Sequence, residues 1–456
     1  MGSHKKEANM KSKKHFVLLA STFLACSAIV PVVAKESTKL VDAMAATILR
    51  QEEQKSIKLT FPIKGEEVKI LKPAVVKYIA AMKEQAKSIT KNDYTLHDFY
   101  ITGGSDKGKT YENDTDKVDI RDYWDGGTMS SKSKKVSLIF DTKGFGDNQV
   151  YNVVYGLKDD LSDGVEVRAE NGFATISNLL ERKTYYWKVV AGEYESAIES
   201  FNTPDGFRMI TADGIQNIRD MGGRPVAGGK HIKQGLIFRG GEMVESDYQA
   251  SGSTHHANLN EYNKKVMREE LGIKYEFDLR GDEEANNIVN SPLYDEDYQD
   301  IEYERIPNIP AYDYFFDKIT HNNYEYVARI KDMFLAFKNA NEKHVYFHCW
   351  GGADRTGTVG FLLGGLLGMS YTDLIIDYEL TTFANNYRPH TANDSKNVYR
   401  FPAMINRIMT NCKDAQGNQI YSPDKTISEM IETVLVDYVG LSKQDILDIK
   451  ANLLED

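Results

Sequence analysis

Cysteine is scarce in this chain: Cys26, Cys349 and Cys412 are the only three in 456 residues. That number excludes a disulfide-stapled scaffold. Basic side chains are also in the minority, with 56 Lys and Arg against 67 Asp and Glu for a net charge of -11. A surface built for nucleic acid or anionic membranes is therefore not expected, because polyanions select net basic faces. Any anion site has to be local and built from a few donors. Only one long apolar run is present, near the N-terminus, and nothing after it is apolar for long enough to span a bilayer. The rest is of ordinary globular composition, 41% hydrophobic and 27% charged, and long enough for two or three domains with cores of their own.

The early apolar run has a recognisable layout. Lys11, Lys13 and Lys14 precede FVLLASTFLACSAIV, which leads into Pro31-Val-Val-Ala34 and the polar stretch KEST. A basic head, an apolar centre and a V-x-A site make residues 1–34 a secretory signal peptide, with an uncleaved anchor or a buried helix as the alternatives. The expected protein is secreted or cell-envelope associated, with no stable membrane insertion after cleavage. Met10 offers an alternative start, and Phe23-Leu24-Ala25 before Cys26 is a poor lipoprotein signal. Cleavage would bring the net charge to -15 and leave Cys349 and Cys412, whose pairing stays open at this point.

Residues 35–119 read as a polar extension of unknown role, with one helical pattern at 75–89. Gly103 to Thr110 fits the G-x-x-x-x-G-K-T expression of a nucleotide loop. The mechanism needs a helix to follow, and YENDTDKVDIRDYWDGG has no helical period, so the stretch reads as a solvated loop. Asp114, Asp116 and Asp119 form a charged run that could bind calcium but reads as solvent-facing. From 120 to 204 the period changes to two: VSLIF, QVYNVVYG, ATISN, TYYWKVVA and SAIESFNTP read as short strands between Gly- and Asp-rich turns. With Leu179-Leu180 ahead of Thr184-Tyr-Tyr-Trp-Lys-Val, this stretch resembles a fibronectin type III-like β-sandwich. The resemblance implies a spacer or interaction module without chemistry of its own.

Residues 205–456 alternate strand and helix. LIFRG (236–240) and YEFDLR (275–280) read as buried strands, and 324–337 as a helix with an apolar stripe. HVYF (344–347) runs straight into Cys349, and TGTVGFLLGGLL (356–367) reads as an apolar helix whose glycines allow close packing. Ser442 and Asp445 form a capping pair that opens the last helix. The chain is thus multidomain, an N-terminal all-β sandwich followed by a C-terminal α/β domain.

The segment HCWGGADRTG (348–357) lies at the carboxyl end of a strand and leads into a helix. A loop there turns successive amides toward one point and forms an anion cradle. Trp350, Gly351, Gly352 and Ala353 would supply it, the glycines by allowing backbone conformations that a side chain forbids. Arg355 adds a planar fork that matches two phosphoryl oxygens. The same positive ends favour a thiolate at Cys349, while His348 fixes the loop from behind.

These residues carry a resemblance to the cysteine-dependent phosphatases, whose signature is H-C-x-x-G-x-x-R followed by Ser or Thr. His348, Cys349, Gly352, Arg355 and Thr356 match it. Within that superfamily residues 205–456 are similar to the bacterial tyrosine (tyrosine/serine) phosphatases. Further similarity lies in Asn217-Ile-Arg-Asp-Met-Gly-Gly223, Gly235-Leu-Ile-Phe-Arg-Gly-Gly-Glu242, Asp278-Leu-Arg280 with Glu283-Glu284, and LGMSYTDLIIDYELTT (367–382). The resemblance implies a tyrosine phosphatase-like fold that needs no metal or other cofactor. Cys349 would be the nucleophile, and Arg355 would stabilise the transition state. Asp354 would act as general acid and Thr356 would bond the sulfur. A structural carboxylate is the alternative for Asp354, with Asp278, Asp313 or Asp317 as replacement acids. Asn217, Arg219, Asp220, Arg239 and Arg280 are read as loop braces rather than substrate contacts.

Phosphotyrosine on a protein or peptide is the leading substrate, with phosphoserine or phosphothreonine beside it and Trp350 and the tyrosines of 311–316 as pocket walls. A phosphoinositide or inositol phosphate is the alternative. Lipid-acting members of the group tend to carry lysine where this chain has Ala353, which leans against that alternative. A non-catalytic phosphate-binding surface module is a further rival, against which an intact Cys349, Asp354 and Arg355 lean.

Overall fold

A computed structural model describes residues 41–42, 55–91, 118–124, 128–243, 259–285, 288–307, 309–312, 315–316, 319, 325–384, 407–408, 412–422 and 425–456. The signal-peptide reading, the 103–110 loop, Asp114, Asp116, Asp313 and Asp317 lie outside these residues. Asp119 lies within them and caps its own turn, its carboxylate accepting from the Arg121 amide at 2.9 Å and pairing with the Arg121 side chain.

The first half holds two antiparallel sheets. Strands β1 (Ser56–Phe61), β2 (Val136–Lys143) and β5 (Phe173–Ile176) form one, in the order β1-β2-β5. Strands β3 (Tyr151–Gly156), β4 (Val165–Ala169), β6 (Thr184–Ala191), β7 (Tyr194–Glu195) and β8 (Glu199–Asn202) form the other. It runs β4-β3-β6-β7, with β8 also paired to β6. Alternation decides the faces. In TYYWKVVA the odd members Tyr185, Trp187, Val189 and Ala191 are buried while Thr184 points out. Val136, Leu138 and Phe140 of β2 do the same from the facing sheet. Tyr185 also accepts a hydrogen bond from the Leu180 amide at 2.8 Å, tying strand β6 to the turn before it.

Strand β1 was not expected. SIKLTF lies in the stretch read as polar extension, and it pairs across β2 from Ser56↔Lys143 to Phe61↔Ile139. Helix α1 (Pro73–Lys91) covers the expected 75–89 pattern and then crosses to the other half of the molecule. Tyr78, fully buried, donates to Glu379 there.

The second half is built on a five-stranded sheet. Its strands are β9 (Arg219–Asp220), β11 (Ile237–Gly240), β12 (Ile273–Asp278), β13 (Glu302–Arg305) and β14 (His344–His348), in the order β13-β12-β14-β11-β9. All are parallel except β9, which runs antiparallel to β11. A small pair, β10 (His231–Ile232) with β15 (Leu454–Glu455), ties the C-terminus down. The central parallel strands β11 and β14 are almost wholly buried, the edge strand β13 is partly exposed, and helices cover the sheet. These are α2 (Glu325–Lys338), α3 (Arg355–Leu367), α4 (Tyr371–Glu379), α5 (Ile427–Asp437) and α6 (Lys443–Leu453). Helix α6 opens at Ser442 with a two-way bond to Asp445, as the capping pair predicts. No helix among the described residues is long and apolar enough to cross a membrane.

The two halves are not joined by a simple tether, since their buried apolar side chains form one contiguous cluster from Trp187 and Phe201 through Phe207 to Phe277 and Phe347. Polar groups close the seam. Glu181 is buried and pairs with Arg224, whose guanidinium lies 3.9 Å from the Phe207 ring centroid. Arg208 donates to the Asn178 carbonyl at 2.7 and 3.1 Å and to Asp220 at 2.9 Å.

Candidate active site

The carboxyl ends of parallel strands are where an α/β sheet leaves room for a ligand. Strand β14 ends there at His348, and the chain turns through Cys349–Asp354 into α3. This helix is buried along its length, so its N-terminus cannot drift from the loop. Its glycines serve packing: a Cβ at Gly360 would sit 2.5 Å from Arg239 Nη1, and one at Gly364 would sit 2.6 Å from the Met369 sulfur.

Cys349 is 3% exposed, at the floor of the loop, and both it and Cys412 are free thiols. The disulfide left open by the sequence does not form. Gly352 has φ +66°, and a Cβ there would lie 2.4 Å from the Gly240 carbonyl carbon. Only glycine satisfies both conditions.

Behind the loop, its carbonyls are gripped. Asn217 Nδ2 donates to the Gly351 oxygen at 3.1 Å and the Gly352 oxygen at 3.0 Å, and Arg239 Nη2 donates to the Gly352 oxygen at 3.0 Å. The amides of Gly352 and Ala353, by contrast, make no hydrogen bond in the described structure. The Gly351 and Gly352 carbonyls are thus held by Asn217 and Arg239, while the Gly352 and Ala353 amides are left unspent. Arg219 and Arg239 are in turn fixed by one carboxylate, Asp377, which takes Arg219 Nε at 2.7 Å and Arg239 Nη1. Arg219 also donates to Asn217 Oδ1 at 2.6 Å. Burial, aided by Arg219, pushes Arg239 down to about 10, and it stays charged at neutral pH. Burial opposes the Asp377 charge, but the two guanidiniums outweigh it and hold the carboxyl below the usual range.

Arg355 stands at the first turn of α3, half out of solvent, with both terminal nitrogens on Glu284 and Nη1 also on the Leu279 oxygen at 3.2 Å. Glu284 sits on the single turn Asp282–Ala285, just after β12, and fixes the guanidinium at both terminal nitrogens. The sequence signalled it only as the second of an adjacent acid pair. Asp377 was likewise visible only as one residue of the 367–382 tract.

His348 is 1% exposed. Its Nδ1 lies 3.2 Å from the Cys349 oxygen and its Nε2 lies 2.9 Å from Glu276 Oε1. The ring thus lies between the loop backbone at Cys349 and Glu276 of β12.

Asp354 is half-buried at the N-cap of α3, and its carboxylate accepts from the Tyr312 hydroxyl. The Tyr312 ring packs edge-on against Tyr378, and Phe315 and Phe316 are fully buried in the core. The aromatic tract expected as a pocket wall therefore turns inward at these positions, because its apolar rings gain more by leaving water. Ala353 is 4% exposed and Trp350 is partly exposed. The Thr356 hydroxyl is buried without a hydrogen-bond partner. Asp278 is unsuited to the acid role. Burial opposes its charge, but His348 and a two-point pair with Arg280 hold its carboxyl at about 2. A carboxyl ionised down to that pH has no proton to give near neutrality.

A parallel strand thus ends in a loop that carries a buried thiol, Cys349, with Arg355 on the first turn of the helix that follows. The family model that matches residues 210–455 is the tyrosine phosphatase family, and the chain belongs to it. A Cupriavidus necator protein provisionally named a tyrosine-protein phosphatase is 26% identical over 184 residues. That match spans 37% of this chain and 61% of the relative's own length.

Proposed function

We propose that this protein hydrolyses phosphate monoesters, phosphotyrosine foremost, through a cysteinyl-phosphate. The observation that carries the reading is the cradle itself: Cys349 beneath a loop whose Gly351 and Gly352 carbonyls are tied back while the Gly352 and Ala353 amides remain unspent. In the first step the Cys349 thiolate attacks phosphorus, a P–S bond forms and the ester P–O bond breaks. Asp354 donates its proton to the departing oxygen. The loop amides and Arg355 stabilise the charge spread over the equatorial oxygens. In the second step water attacks the same phosphorus, Asp354 takes the proton, and sulfur leaves as thiolate. Tyr312, donating to Asp354, orients that carboxyl toward the loop. No step calls on a metal or other cofactor.

The substrate class is a phosphorylated protein or peptide, whose phosphate would meet Arg355. The sandwich fits a fibronectin type III-like accessory module in its strand order β1-β2-β5 and β4-β3-β6-β8 and in the Tyr185 bond to Leu180. Residues 1–34 direct export, and the mature chain works outside the cytoplasm or in the envelope.

The test is phosphate release from p-nitrophenyl phosphate by residues 35–456 with EDTA present. Turnover that Cys349→Ser abolishes and vanadate blocks is the expected result. No turnover in freshly reduced protein would overturn the enzymatic reading in favour of a phosphate-binding module.

A further inference from the structure

Glu276 has no place in the chemistry above, yet it is a carboxylate 1% exposed inside a sheet. A buried charge of that kind is costly unless something compensates it. Its two oxygens are divided: one faces His348 Nε2 at 2.9 Å and the other accepts from the Ser291 hydroxyl. On the far side of the imidazole, Nδ1 meets the Cys349 carbonyl oxygen at 3.2 Å. Both neighbours of the ring are acceptors only. A neutral imidazole has one N–H and can satisfy one of them, whereas an imidazolium satisfies both.

We infer that Glu276 is a positioning residue that holds His348 as an imidazolium, so that a fixed positive charge and an N–H donor stand directly behind the Cys349 nucleophile. This rests on the catalytic reading given above and deepens it. The groups facing the ring are few. From β12 come Glu276 and Asp278, and from the turn after it Arg280, which is already committed to Asp278 and, at 2.9 Å, to Glu242. From β14 comes Tyr346, stacked on the ring at 5.3 Å. Tyr303 of β13 donates to Asp278 at 2.9 Å. Asp278 is thus shared between Arg280 and Tyr303, and among the described residues Glu276 is the carboxylate hydrogen-bonded to the ring. Burial works against a charged His348, but the two carboxylates outweigh it and raise its proton affinity.

Glu276→Gln is the test, because it keeps shape and hydrogen bonding while removing charge. Two readouts are needed. Imidazole NMR of the unaltered protein, labelled at histidine, is expected to show His348 doubly protonated at pH 7. A neutral ring there overturns the proposal even if the variant fails to fold. In Glu276→Gln the ring is expected to be neutral at pH 7. Alkylation of Cys349 by iodoacetate at pH 6 should then fall about tenfold, as should the ratio of kcat/KM at pH 6 to that at pH 8. A uniform loss of kcat/KM at both pH values, with alkylation unchanged, would mark Glu276 as structural only and overturn the inference. Alkylation does not require turnover. If the unaltered protein is alkylated at pH 6 but hydrolyses nothing, the catalytic reading fails while the Glu276–His348 pair stands.

Discussion

Replacing Asp377 with asparagine should damage both the stability of the protein and the shape of its loop. This one buried carboxylate is shared by Arg219 and Arg239, which are fully buried themselves. Arg239 reaches the Gly352 carbonyl directly, and Arg219 reaches the loop through Asn217. The amide of asparagine can still accept one N–H, but it leaves two guanidiniums in the interior without a counter-charge. Breaking a buried ion pair by removing one partner costs about 3–5 kcal/mol. The Arg219 Nη2 bond to the Asp377 backbone oxygen, 2.6 Å, survives the change, so the low end of about 3 kcal/mol is expected. For a domain of this size that lowers Tm by roughly 6–12 °C. Loss of one preorganised oxyanion donor set is worth roughly a hundredfold in kcat. Urea unfolding followed by tryptophan fluorescence, together with p-nitrophenyl phosphate kinetics, measures both. Glu302→Gln, which breaks an exposed pair with Lys343, serves as the control and should leave Tm unchanged. A loss of under about 1 kcal/mol with kcat unaltered would show that the two arginines do not depend on Asp377, and the bracing argument would fail.

Acid should weaken the protein through Asp278. Its folded value of about 2 lies below the ordinary 3.8, so the carboxylate contributes stability that is present above pH 4 and is lost as pH falls through about 2. The shift corresponds to about 2 kcal/mol, and Asp278→Asn should flatten the decline in urea midpoint between pH 4 and 2; an unchanged decline would place the acid sensitivity elsewhere. A fragment of residues 205–456 should not fold alone, because Arg224 would lose Glu181, and Phe207 and Glu379 would lose their packing and hydrogen-bond partners. Circular dichroism showing a soluble fragment with a cooperative thermal transition would contradict this.

The sequence determined the parts of this protein that depend on local order. The β-branched and aromatic run TYYWKVVA marked β6 as a strand, and a period of two then sends alternate residues to the core. Ser442 and Asp445 fixed the start of α6, because capping is settled within four residues. The spacing of Cys349, Gly352 and Arg355 placed thiol, turn and guanidinium on one loop, since a strand running into a helix allows few other outcomes. Tertiary structure decided what long-range packing controls. SIKLTF lies in a stretch that reads as polar overall although Ile57, Leu59 and Phe61 alternate with polar residues, and pairing with β2 makes it a strand of the sandwich. Glu284, Glu276 and Asp377 were ordinary acids in the sequence. They became the partners of Arg355, His348 and the two bracing arginines only when strands and helices some 70 to 160 residues apart came together. A buried charge must find its opposite wherever the fold brings one, and no local pattern records where that will be.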